Sequence, residues 1–71
     1  MTYEDPQDLY EWALDNIGHS FKRPKGKLTY TIREVEFIRE PYITLRCICD
    51  TPDGEREMSP VGLRRMVAID R

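Results

Sequence analysis

The chain has 71 residues, of which 39% are hydrophobic and 34% charged, with a formal net charge of −2. A domain of that length buries only about 60% of the surface its unfolded chain exposes, so its core is thin. That leaves no room for a dinucleotide-binding fold, a (β/α)8 barrel or a deep substrate cleft.

The charge is unevenly spread. Met1 to Gly18 carries five acids (Glu4, Asp5, Asp8, Glu11, Asp15) and no Lys or Arg, whereas His19 to Arg71 carries all eleven Lys and Arg against eight acids. The two parts are therefore −5 and +3, an acidic head on a mildly basic body. No apolar run approaches the roughly 20 residues of a membrane span. The acidic start Met1-Thr2-Tyr3-Glu4-Asp5 does not read as a secretory signal, so the expected compartment is the cytoplasm. Cys47 and Cys49, two residues apart, stand parallel on one face of a strand and are poorly placed for a disulfide, so free thiols are expected.

In chain order, Asp5-Pro6-Gln7-Asp8 is a helix start, with Asp5 as the cap and Pro6 at the first helical position. Leu9, Tyr10, Ala13, Leu14 and Ile17 fall on one broad apolar face, with Trp12 at its border. Gly18 suits the position just past a helix end. The spacing thus predicts a helix over about 6–17. Ser20 to Arg23 reads as a short strand, and Pro24-Lys25-Gly26 as a turn. Leu28, Tyr30 and Ile32 then alternate with polar residues, but the apolar set moves to Val35 and Phe37. A slip of one residue is what a β-bulge produces, placed here near Arg33-Glu34. Tyr42 to Cys49 reads as the next strand, Thr51-Pro52-Asp53-Gly54 as a hairpin turn, and Glu55 to Met58 as the returning strand. Ser59-Pro60 opens a single turn over about 60–64, expected to be 3-10, before a last short strand over Met66 to Ile69.

The expected class is mainly β with one N-terminal α-helix (α+β): one domain over 1–71, an acidic helix over 5–18 packed on a small five-stranded barrel over 19–70. This order of elements, from roughly Gly18 to Ile69, resembles the SH3-like small barrel of SH3, Tudor and KOW domains. The resemblance lies in the order of elements. The ALYDY-type signature of peptide-binding SH3 domains and the aromatic cage of methyl-lysine readers are both absent. The rival architecture is a helix packed on a three- or four-stranded antiparallel sheet.

Four groups of residues are candidates for chemistry. Lys22, Arg23, Lys25 and Lys27 put four cations in six positions, with Phe21 and Tyr30 as neighbours that could stack on bases. Set against this is an ordinary solvated turn. Arg64 and Arg65 form a second basic pair, suited to phosphate or equally to the negative end of their own helical turn. Cys47 and Cys49 with His19 fall short of the four ligands of a zinc site, so buried structural thiols are expected and no metal or cofactor. Asp8, Glu11 and Asp15 share one helix face, as a contact for a protein partner or simply as a solvated surface. Trp12, Tyr3 and Tyr42 are either packed or exposed anchors.

No nucleophile–base pair, metalloprotease motif or phosphate-cradling glycine loop is present, and no catalytic residue is assigned. The leading expectation is a small non-enzymatic module that contacts nucleic acid or a ribonucleoprotein through Lys22, Arg23, Lys25, Lys27, Tyr30, Arg64 and Arg65. The alternative is a protein-binding adaptor, or an inhibitor of the kind phages encode, using Asp8, Glu11 and Asp15 or a sheet edge. An edge-strand homodimer is a third arrangement; the oligomeric state is not set by the sequence.

Overall fold

The structure, a computed structural model, describes residues 5–69. Helix α1 spans Pro6–Asp15, and its capping Asp5 carboxylate accepts the Gln7 backbone N–H at 2.9 Å. It ends two residues earlier than the apolar spacing predicts. Asn16 and Ile17 donate to Ala13 and Leu14, three residues back, and this tightening closes the last turn. Gly18 then turns the chain away at φ +91°.

Strands β1 (Ser20–Lys22), β2 (Thr29–Ile38), β3 (Thr44–Thr51), β4 (Gly54–Met58) and β5 (Val67–Ile69) form one antiparallel sheet in the order β4-β3-β2-β1-β5. The first three residues of β2 pair with β1, and Thr31 to Ile38 pair with β3. Between Ile32 and Glu34 the register shifts, so Arg33 is the bulge residue. It carries the inward set from Tyr30 and Ile32 to Val35 and Phe37, the slip visible in the sequence. This split pairing around a bulge is compatible with a small barrel-like curl, with β4 and β5 left as the edges of the described sheet.

The third strand starts two residues later than expected. Ile38 pairs with Thr44, so 39–43 become the connection, and Tyr42 and Ile43 are 79% and 61% exposed. Helix α2 (Pro60–Arg64) is α-helical rather than 3-10, because Leu63 donates to the Ser59 carbonyl four residues back. The Ser59 hydroxyl caps it by accepting from Val61.

Ala13, Phe21, Tyr30, Ile32, Cys47, Cys49 and Leu63 form the core, with Trp12, Leu28, Val35, Met58 and Met66 packed around it. The sheet members of this cluster all lie on one face, which the two helices cover through Ala13 and Leu63. The helix stripe is narrower than its sequence predicts. Leu9 and Ala13 are buried, whereas Leu14 and Ile17 remain 42% and 43% exposed.

The opposite face of the sheet is polar. Arg46 bridges Glu36 at 2.5 Å and Glu57 at 3.2 Å, while Arg33 bridges Asp50 at 3.1 Å and also Glu55. Both guanidinium pKa values rise above the ordinary value, Arg33 through its hydrogen bond to Glu55 and the charge of Asp50, Arg46 through its hydrogen bond to Glu36 and that carboxylate's charge. Ile48 lies on this face yet is only 6% exposed. Its neighbours there are Glu34 and Glu57, directly opposite it across the ladders, and Arg46 and Asp50 on its own strand. Among the described residues no helix is long and apolar enough to cross a membrane.

Candidate nucleic-acid interface

Lys22 is the hinge of the candidate site. It pairs with Thr29 on one side and Val67 on the other. The chain leaving β1, the chain entering β2 and the chain entering β5 therefore meet at one end of the sheet. That end holds the whole loop from Lys22 to Lys27 and, two residues before Val67, Arg65 with its neighbour Arg64. The two basic segments, distant in sequence, are brought together by strand pairing.

Within the loop, Gly26 donates its N–H to the Arg23 carbonyl at 3.0 Å and closes the Pro24-Lys25 turn. Arg23, Lys25 and Lys27 are exposed and Lys22 is half-buried. Arg64 and Arg65 are exposed at the end of α2. The Arg64 guanidinium lies 5.8 Å from the Trp12 ring centroid, and Trp12 is 5.6 Å from Phe21, the residue beside Lys22. On the other side of β2, Asp50 stands opposite Thr31 and is engaged by Arg33.

The aromatic part of the expected site is corrected. Tyr30 and Phe21 are only 6% and 4% exposed and belong to the core, facing each other across the β1–β2 ladder. Neither presents a ring face to a base. Arg23 lies over Tyr30 at 5.8 Å, on what remains of its surface. A period-two strand reading assigns Tyr30 to the inward set, so its burial is the price of the same pattern that identifies the strand.

The remaining candidates are dispersed. His19 Nδ1 is 3.0 Å from Asn16 Oδ1, and Cys47 and Cys49 are fully buried. Burial pushes the Cys47 thiol up to about 12, with the neighbouring Cys49 adding to it, and the Cys49 thiol up to about 11, with Asp50 adding. Among the described residues no three His, Cys, Asp or Glu side chains come together as a metal site. Asp8, Glu11 and Asp15 are exposed on α1, with Gln7 donating to Glu11 at 3.3 Å. Trp12 is half-buried and Tyr42 exposed, while Tyr3 lies outside the described residues.

One surface escapes a sequence reading. Tyr10, Leu14 and Ile17 are predicted to be core, but they form a half-open apolar strip. It runs through the Tyr10–Phe37 ring contact (5.0 Å) into a shallow cavity of about 330 Å3 between the start of α1 and the β2–β3 connection. Periodicity identifies the apolar residues of a helix but not how many of them the sheet reaches.

No protein-family model matches this chain, and no curated protein or solved structure compared with it matches either.

Proposed function

We propose that the chain is a small, non-enzymatic, cytoplasmic binding module of the SH3-like small-barrel type, which contacts nucleic acid or a ribonucleoprotein through the basic end of its sheet. The observation that supports this reading is the double pairing of Lys22 with Thr29 and Val67, by which the loop carrying Lys22, Arg23, Lys25 and Lys27 and the segment that follows Arg64 and Arg65 reach the same end of the sheet. Clustered, mobile cations are what phosphate groups require, and the counterions they displace supply the affinity. The small-barrel reading rests on the order of elements, the bulged and shared β2, and the short helix before β5.

With Tyr30 and Phe21 in the core, the contact is made to phosphates without base stacking. Binding is then strongly salt-dependent and nearly independent of sequence. Each phosphate contact to a single strand contributes a slope of about −0.7 in log K against log salt, so six would give about −4.

The test is an amide NMR titration of the chain with short single- and double-stranded oligonucleotides at low and moderate salt. Shifts on Lys22 to Lys27 and on Arg64-Arg65 that fade as salt rises support the reading. An absence of shifts there at low salt overturns it.

A further inference from the structure

We propose that the apolar strip on α1 docks a cationic amphipathic helix of a partner protein. Tyr10 and Leu14 stand at positions i and i+4 of α1, a pair that a second helix packs against, and Ile17 extends the strip in the turn that follows the helix. Leu14 and Ile17 are 42% and 43% exposed, more than apolar side chains in a finished core. At the start of α1 the strip runs into the cavity bounded by Pro6, Gln7, Phe37, Arg39 and Ile43, where Ile43 is 61% exposed. A strip with a cavity at one end suits a helix with a row of apolar side chains and one larger anchor.

Charge decides which helix. Residues one step further round α1 from the strip are Glu11 and Asp15, with Asp8 three positions before Glu11, and α1 contains no Lys or Arg. The cavity's one cation, Arg39, is 4.8 Å above the Phe37 ring, with Glu40 beside it in sequence. The long flank of the strip is therefore acidic, and a helix seated on it gains by carrying Lys or Arg along its own flank. A second copy packing α1 on α1 would bring acids against acids. An anionic lipid surface or a nucleic-acid strand would be repelled in the same way, so this surface is separate in both place and ligand from the basic end.

The test is an amide NMR titration of the whole chain with three synthetic peptides of about 16 residues, roughly 24 Å as a helix. One has Leu at i, i+3, i+4 and i+7 with Lys on its flanks. The second has Glu in place of Lys, and the third is a scramble of the first. The lysine peptide is expected to shift Tyr10, Leu14, Ile17, Phe37 and Ile43, and to bind about tenfold or more tightly than either of the others. Leu14→Gln should weaken it about tenfold, and the pair Glu11→Lys, Asp15→Lys should transfer the preference to the glutamate peptide. Both variants alter exposed positions, and their native amide spectra check that they fold. Equal binding of the lysine peptide and its scramble overturns the proposal, as does an unchanged preference in the charge-reversed variant. Concentration-dependent shifts at Leu14 without peptide, which would mark a second copy as the occupant, also overturn it. None of these outcomes touches Lys22 to Lys27, so this proposal and the nucleic-acid reading fail independently.

Discussion

The backbone N–H of Gly18 donates to the carbonyl of Ile32 at 2.7 Å, and Ile32 donates in return to His19 at 3.1 Å. The end of α1 is thereby fastened to β2 one residue before its bulge. Gly18 reaches this bond at φ +91°, a conformation that side chains with a Cβ rarely adopt, although a Cβ there would meet nothing within 4 Å. Gly18→Ala should therefore cost about 1–2 kcal/mol through backbone strain alone. Urea unfolding should show a lower midpoint with an unchanged slope. Gly18→Asn should recover part of the loss, because Asn tolerates positive φ better.

The two buried thiols make stability fall at alkaline pH. From the ordinary value of 9.0, the folded chain raises Cys47 to about 12 and Cys49 to about 11. Above about pH 9 the unfolded chain loses thiol protons that the folded chain keeps, so unfolding becomes more favourable as pH rises. The loss continues to about pH 11 for Cys49 and pH 12 for Cys47, at up to about 1.4 kcal/mol per pH unit for each. Denaturant curves between pH 8 and 11 should show this, and Cys49→Ala should remove part of the slope whatever it does to the absolute stability. Below pH 9 both thiols should resist alkylation until denaturant is added.

On the outer face of the sheet, ion pairs and apolar burial should separate by salt. Arg46→Gln removes the bridges to Glu36 and Glu57, which are exposed enough to be screened. Its destabilisation should shrink towards about 1 M salt. Ile48→Ala removes a side chain that is 6% exposed and should cost about 2 kcal/mol at every salt concentration. A salt-dependent loss in Ile48→Ala would mean that the arginine network, not the isoleucine, holds β3 to its neighbours.

At the basic end, Lys25→Gln with Lys27→Gln should lower the slope of log K against log salt for a single-stranded oligonucleotide by about 1.4, two contacts' worth. Tyr30→Phe should leave that affinity unchanged, since the ring belongs to the core. Fluorescence anisotropy over a salt series measures both.

Most of the fold is legible in the sequence because its local signals agree. Asp5-Pro6 and Ser59-Pro60 both cap helices, Gly18 and Gly54 both take positive φ, and the parity change after Ile32 marks the bulge. What escapes is the outcome of pairing. Nothing near Tyr42 says that Ile38 will pair with Thr44 and leave Tyr42 and Ile43 in the connection. Nothing near Lys22 says that Val67 will stand beside it and bring Arg65 along. The candidate site was legible as two basic segments, whereas their meeting depends on a contact between residues 45 positions apart.

The bulge at Arg33 makes β2 a strand that counts. Before it, the even-numbered Tyr30 and Ile32 point inward; after it, the odd-numbered Val35 faces the core and Phe37 faces Tyr10 of α1. Removing Arg33 would close the bulge into a regular ladder, with Glu34 following Ile32 on the outer face and Val35 and Phe37 still inward. Removing Glu34 as well would turn Val35 and Phe37 outward and bring Glu36 into the core. Across this part of the chain, losing one residue should do less harm than losing two: it sacrifices the bulge and the Arg33 bridges to Asp50 and Glu55 but keeps the faces of the strand.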